Sequence, residues 1–183
     1  MKYLEEIKKL LDEEHSKTQK NKILEYVGDD PEKMKALMSF FLDRKWHWRY
    51  NQRAAWPVGY LGRKFPKLIN PYFDSMISMM DNPSHDAVLR NILRILEDIV
   101  IPESYEGMIY DRCFLFLNDP NFSIAIRVFS MTVLFKISEK YPDLQEELEA
   151  SIRMHMPYGS AGFKSRGRKY LKAINKMKKD RTN

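Results

Sequence analysis

Apolar positions recur three or four residues apart along nearly the whole 183-residue chain, the spacing of a helix face rather than of a strand. Breakers interrupt that rhythm at Gly28-Asp29-Asp30-Pro31, Asp43, Pro66, Asp81-Asn82-Pro83, Ile101-Pro102-Glu103-Ser104, Asn118-Asp119-Pro120, Tyr141-Pro142 and Pro157-Tyr158-Gly159-Ser160. Pro at a first helical position, preceded by Asp, Asn or Ser, is a start signal, because those side chains cap backbone N–H groups that have no partner within the helix. The pattern predicts helices over 2–13, 16–27, 31–42, 46–64, 68–80, 84–100, 104–117, 122–140, 143–155 and 161–179, which make five hairpins.

The hairpins repeat. Asp43, Asp81 and Asp119 are 38 residues apart, each closing one helix before the next begins. The same offset links Met38, Met76, Phe114 and Ile152, and also Phe41, Met79, Leu117 and His155. Arg53, Arg90 and Arg127 recur at 37, with Arg166 39 further on. A two-helix unit of about 40 residues is the signature of an α-solenoid, in which each hairpin buries its apolar face against its neighbours.

Two stretches carry a family resemblance. Asp119-Pro120-Asn121-Phe122 leading to Arg127 resembles the turn and second helix of HEAT-type repeats, and Gln52-Arg53-Ala54-Ala55-Trp56-Pro57-Val58-Gly59-Tyr60-Leu61-Gly62 looks like another second helix. The resemblance implies an all-α fold, a right-handed α-α superhelix (HEAT-like solenoid) of about five helical hairpins. One domain is expected over 1–183, with a polar capping hairpin at 1–28, four repeats over 29–179 and a short tail at 180–183. It also implies a structural ladder in which the turn residues Asp43, Asp81 and Asp119 pair with Arg53, Arg90 and Arg127 of the second helices. Pro57, inside a helical run, predicts a kink.

Composition narrows the class. A chain of this size can bury a sizeable core without staples. The single Cys113 permits no internal disulfide and no multi-Cys metal site, which suits a reducing compartment. The start, Met-Lys-Tyr-Leu-Glu-Glu-Ile-Lys-Lys, lacks the apolar core of a signal peptide. Phe122 to Phe135 is broken by Arg127 and falls short of the roughly 20 residues that a membrane span needs. A cytoplasmic location, no membrane association and no small-molecule cofactor are expected.

The net charge of +6 conceals a strong segregation. Residues 1–43 carry −2, residues 44–67 carry +7, residues 68–159 carry −7 and residues 160–183 carry +8. The two basic segments supply the candidate binding residues. Residues 46–60 contain all three tryptophans, and Trp48, Arg49, Gln52 and Trp56 form adjoining ridges of one helix, where cations interleaved with aromatics suit a phosphate, a base or a partner side chain. Trp46, Tyr50, Ala54, Pro57 and Leu61 are expected to form the buried stripe of the same helix. On the last helix Phe163, Tyr170, Leu171, Ile174 and Met177 share an apolar face, while Lys164, Arg168, Lys172 and Lys176 advance by four on another. Such a ridge suits phosphates, with steep salt dependence, or an acidic protein surface.

Catalytic chemistry has little support. His15, His47, His85 and His155 are scattered, Cys113 sits in a Phe/Leu-rich helix, and there is no metal-ligand spacing, phosphate loop or nucleophile elbow. The loop Gly159-Ser160-Ala161-Gly162-Phe163-Lys164-Ser165-Arg166-Gly167-Arg168 superficially resembles the signature loop of the fumarase and adenylosuccinate lyase superfamily, but Phe163, Arg166 and Arg168 replace its Met, Lys and Asn. The sequence therefore favours a non-enzymatic module that binds a macromolecular partner, most readily a protein. The alternative is nucleic-acid binding, distantly similar to the HEAT-like DNA-alkylation-repair glycosylases. Acidic residues such as Glu97, Asp98 and Asp111 among the basic ridges would favour the protein partner.

Overall fold

The structure, a computed structural model, describes residues 2–182. Among these residues are ten α-helices: α1 (Leu4–Asp12), α2 (Lys17–Val27), α3 (Pro31–Leu42), α4 (Trp48–Lys64), α5 (Phe73–Asp81), α6 (Asp86–Asp98), α7 (Glu103–Asn118), α8 (Ile124–Lys140), α9 (Leu144–His155) and α10 (Ala161–Thr182). No strand occurs among the described residues, so the all-α expectation holds. The chain divides into two compact units, Met1–Val100 with α1–α6 and Ile101–Asn183 with α7–α10.

Within the first unit the hairpins stack in two rows. First helices α1, α3 and α5 pack on one another in order, as do second helices α2, α4 and α6, and α4 touches α1, α2, α3 and α6. Phe40, Phe41, Ala54, Val58, Ile69, Met76, Leu89 and Ile92 are buried at its core. The second unit has the same plan, α7 beside α9 and α8 beside α10, around Ile109, Leu117, Ile126, Leu134, Leu148, Ile152 and Ile174.

Helix ends follow from local chemistry. The side chains of Ser16 and Asp30 accept backbone N–H bonds at the starts of α2 and α3. His47 and His85 do the same at α4 and α6, each through Nδ1. Gly28 closes α2 at φ 54°, a conformation that glycine adopts readily.

Two helix starts that differ from the sequence reading have a clear local cause. The helix predicted from residue 46 starts at Trp48, because His47 serves as its cap. The helix predicted over 68–80 starts at Phe73, after 3-10 turns at Pro66–Leu68 and Asn70–Tyr72. Pro71 has no N–H to donate and disfavours the helical conformation of Asn70, so α-helix cannot extend back through it. By contrast, α4 remains helical through Pro57, which leaves the carbonyl of Arg53 without its usual intrahelical donor.

At Asp43–Arg53 and Asp119–Arg127 the expected Asp–Arg ladder takes a different form. Asp43 is held by Lys45, at 2.7 Å, while Arg53 donates from Nη1 to the carbonyls of Leu11 (2.6 Å) and Glu13 (2.8 Å) at the end of α1. Asn51 caps α3 instead, donating from Nδ2 to the carbonyls of Phe40 (2.8 Å), Phe41 (3.4 Å) and Asp43 (3.2 Å). Arg127 donates from Nε to the carbonyl of Leu117 at 3.0 Å, ending α7, and Asp119 stabilises its charge against partial burial. The physical reason is register. The aspartates recur at 38 and the arginines at 37, so Asp43 precedes Arg53 by ten residues, Asp81 precedes Arg90 by nine and Asp119 precedes Arg127 by eight. One residue turns a helix by about 100°, and the three arginines cannot be equivalent. Asn51 and Arg127 lie two 38-residue periods apart and both cap the first helix of their own hairpin.

Candidate macromolecular interface

The expected buried stripe forms in part, with Trp46 lying before α4 and half-buried like Tyr50. Ala54, Pro57 and Leu61 are buried, Trp46 tilts over Phe40 at 4.4 Å, and Tyr50 donates its hydroxyl to Asp12 at 2.6 Å. The opposite ridge faces outward. Trp48 is 44% exposed; one face lies parallel to the His85 ring at 5.5 Å, and the Arg49 guanidinium sits 5.6 Å from its centroid. Trp48 therefore joins two repeats as well as presenting aromatic surface.

Further along the ridge, Gln52 and Trp56 line a hollow of about 340 Å³ shared with His15, His85, Arg90 and Arg94. Burial and the neighbouring Arg53 lower the His15 pKa, which favours the neutral ring. Lys20, buried on α2, points its ammonium at Tyr60 (4.0 Å) and Trp56 (5.5 Å), and Arg63 and Arg94 also approach Tyr60, at 5.1 and 5.6 Å. These contacts let the rings partly offset the repulsion among neighbouring cations. Acid interrupts the cluster at two points: Asp86 lines the hollow, and Asp98 pairs with Arg63 at 3.3 Å. The arrangement can hold an anionic group against an aromatic wall.

In the second unit, α10 has two cationic faces with different roles. Arg166 donates to the Thr132 hydroxyl at 2.6 Å, Lys178 pairs with Glu149 at 2.9 Å, and Arg181 bonds Gln145. Phe163, Tyr170 and Ile174 are buried beneath them, while Leu171 and Met177 are half-buried. Arg168, Lys172 and Lys176 are exposed, Lys164 is half-buried, and none of the four has a side-chain hydrogen bond or ion pair among the described residues.

Charge is sorted by row in each unit. In the first unit α2, α4 and α6 carry nine basic and four acidic residues, whereas α1, α3 and α5 carry four basic and six acidic. In the second, α8 and α10 carry twelve basic and two acidic residues, whereas α7 and α9 carry two basic and six acidic. All eight candidate contact residues lie on second helices.

This plan of stacked hairpins agrees with a match of residues 7–174 to the family model of the HEAT repeat domain. The chain belongs to the HEAT repeat domain family. No curated protein and no solved structure matches it. The HEAT repeats here contain no group of three or more His, Cys, Asp or Glu side chains able to hold a metal among the described residues. No described helix is long and apolar enough to cross a membrane. Cys113 is fully buried, and desolvation pushes its thiol pKa up, away from the reactive thiolate.

Two features escaped the sequence reading. His47 and His85 are 38 residues apart and share one capping role, a repeat signal visible in the numbering itself. The other is a groove of about 610 Å³ between the first helices α7 and α9. Its signal was the run Phe114-Leu115-Phe116-Leu117, four consecutive apolar residues that cannot all face one core.

Proposed function

We propose that this HEAT repeat protein is a non-enzymatic module that binds an acidic segment of a protein partner through its second helices. The observation that carries the reading is the sorting of charge by row, which concentrates cations and exposed aromatics on second helices. Opposite charge accelerates encounter and sets register, while aromatic anchors such as Trp48 and Trp56 supply apolar contact. A protein ligand fits better than a nucleic-acid backbone because Asp86 and Asp98 stand among the cations of the first unit. An acidic protein segment can set a neutral or basic side chain opposite them, whereas a phosphate backbone carries a charge at every nucleotide. Neither proton-transfer nor nucleophilic chemistry is needed for this role.

Anisotropy titrations with a labelled 20-residue Glu-rich peptide containing two Trp residues, and with a 20-base-pair DNA duplex, each at 50 and 200 mM salt, test the reading. The peptide is expected to bind more tightly than the duplex at 200 mM salt, and Trp56→Ala with Arg90→Ala should weaken it about tenfold. Tighter duplex binding, falling by orders of magnitude with salt as phosphate contacts require, would replace the protein reading with the nucleic-acid one.

A further inference from the structure

The groove between α7 and α9 has an apolar floor and an acidic rim, the opposite of the second-helix surfaces. Phe114 and Leu115 of α7 face Ala150 and Met154 of α9 across it, with Asp119 and Glu147 at its edges. Leu115 is 67% exposed and Met154 61%, unusual for large apolar side chains that have a core available nearby.

The polar groups beneath the groove are already satisfied. Asn118 donates from Nδ2 to the carbonyl of Phe114 at 2.9 Å, and its Oδ1 accepts from the Ser151 hydroxyl at 2.7 Å and from His155 Nε2 at 3.1 Å. This bridge ties α9 to the end of α7 and leaves the groove with apolar surface to cover. Both walls are helices whose backbone amides bond internally, so an incoming chain finds no strand edge to extend. It must satisfy its own backbone hydrogen bonds.

We propose that this groove docks an amphipathic helix of a partner protein, with apolar anchors spaced i, i+3 or i+4, and i+7, and with Lys or Arg flanking them. The cavity volume lies within the roughly 300–1,000 Å³ of sites that hold sizeable ligands and accommodates several anchor side chains. The basic flanks follow from charge complementarity with the rim carboxylates Asp119 and Glu147, the two acidic side chains that line the groove. An acidic helix would face Asp119 and Glu147 with like charge.

The proposal is independent of the role given to the second helices. Its test uses the full chain and a fluorescein-labelled 18-residue helical peptide with Leu at those spacings and Lys on its flanks. A second peptide carries Glu in place of every Lys. The labelled Lys peptide should bind at micromolar concentration, and the unlabelled Glu peptide should displace it at least tenfold less effectively than the unlabelled Lys peptide. Leu115→Glu and Met154→Glu should each weaken the Lys peptide at least tenfold, with helical circular dichroism unchanged because both side chains are mostly exposed. Trp56→Ala and Lys172→Glu should leave its binding unaltered. Equal displacement by the two peptides, or indifference to both groove variants, overturns the proposal. So does sedimentation showing a wild-type dimer that Leu115→Glu disperses, since a second copy would then occupy the groove.

Discussion

Individual side chains in this protein are decided by where orphan carbonyls need donors. Asn51 supplies one amide to three carbonyls at the end of α3 and is fully buried. Asn51→Ala should therefore cost about 1–3 kcal/mol, the penalty for leaving such groups unpaired, measured by urea denaturation; a change below about 0.5 kcal/mol would contradict the capping role. Glu106 gives a pH dependence. Burial opposes ionisation of its carboxyl, but bonds from the Tyr141 hydroxyl (2.7 Å) and Lys140 (3.0 Å) outweigh it and hold the pKa below the ordinary 4.5. A depressed carboxylate contributes stability that is present above its unfolded pKa and lost as pH falls through the folded value. Stability should thus fall below about pH 4.5, and Glu106→Gln should flatten part of that fall in acid titrations followed by circular dichroism. The arginines show what a sequence can hide at this scale. Their recurrence was plain and so was the one-residue drift, but that Arg53 reaches the carbonyls of Leu11 and Glu13 depends on how α4 packs on α1, which the numbering does not show.

Helices were legible because their caps and apolar spacing agree, and nine of the ten were placed within a few residues of their observed ends. The exception, the start of α5, was lost to Pro71, which stops a helix from extending upstream. Pairs of helices depend on small residues that spacing alone does not explain. Gly62 of α4 leaves room for Ile69 and Ile95, and an added Cβ would stand 2.9 Å from Ile69 Cδ1 and 3.2 Å from Ile95 Cδ1. Gly62→Leu should destabilise the first unit by about 1–3 kcal/mol through overpacking, and a thermal midpoint equal to wild type would refute that close approach. The groove between α7 and α9 was not legible, because an exposed Leu115 and a buried Leu117 look alike in a sequence.

Across the molecule, the linear count of +7, −7 and +8 suggested basic patches separated by an acidic block. In the folded units that block divides: α7 and α9 hold six of its fourteen acidic residues, while α6 and α8 hold five of its seven basic ones. The charge pattern thus belongs to helix rows rather than to chain segments, a distinction that required the hairpins to be paired in space. The most direct measurement of this account is quantitative affinity capture at 150 mM salt with three forms of the protein. These are wild type, a second-row variant carrying Arg168→Glu, Lys172→Glu and Lys176→Glu, and a first-row control carrying Glu5→Lys and Asp74→Lys. The account predicts that proteins retained by wild type fall at least fivefold with the second-row variant and persist with the control. Equal retention by the second-row variant and wild type would contradict it.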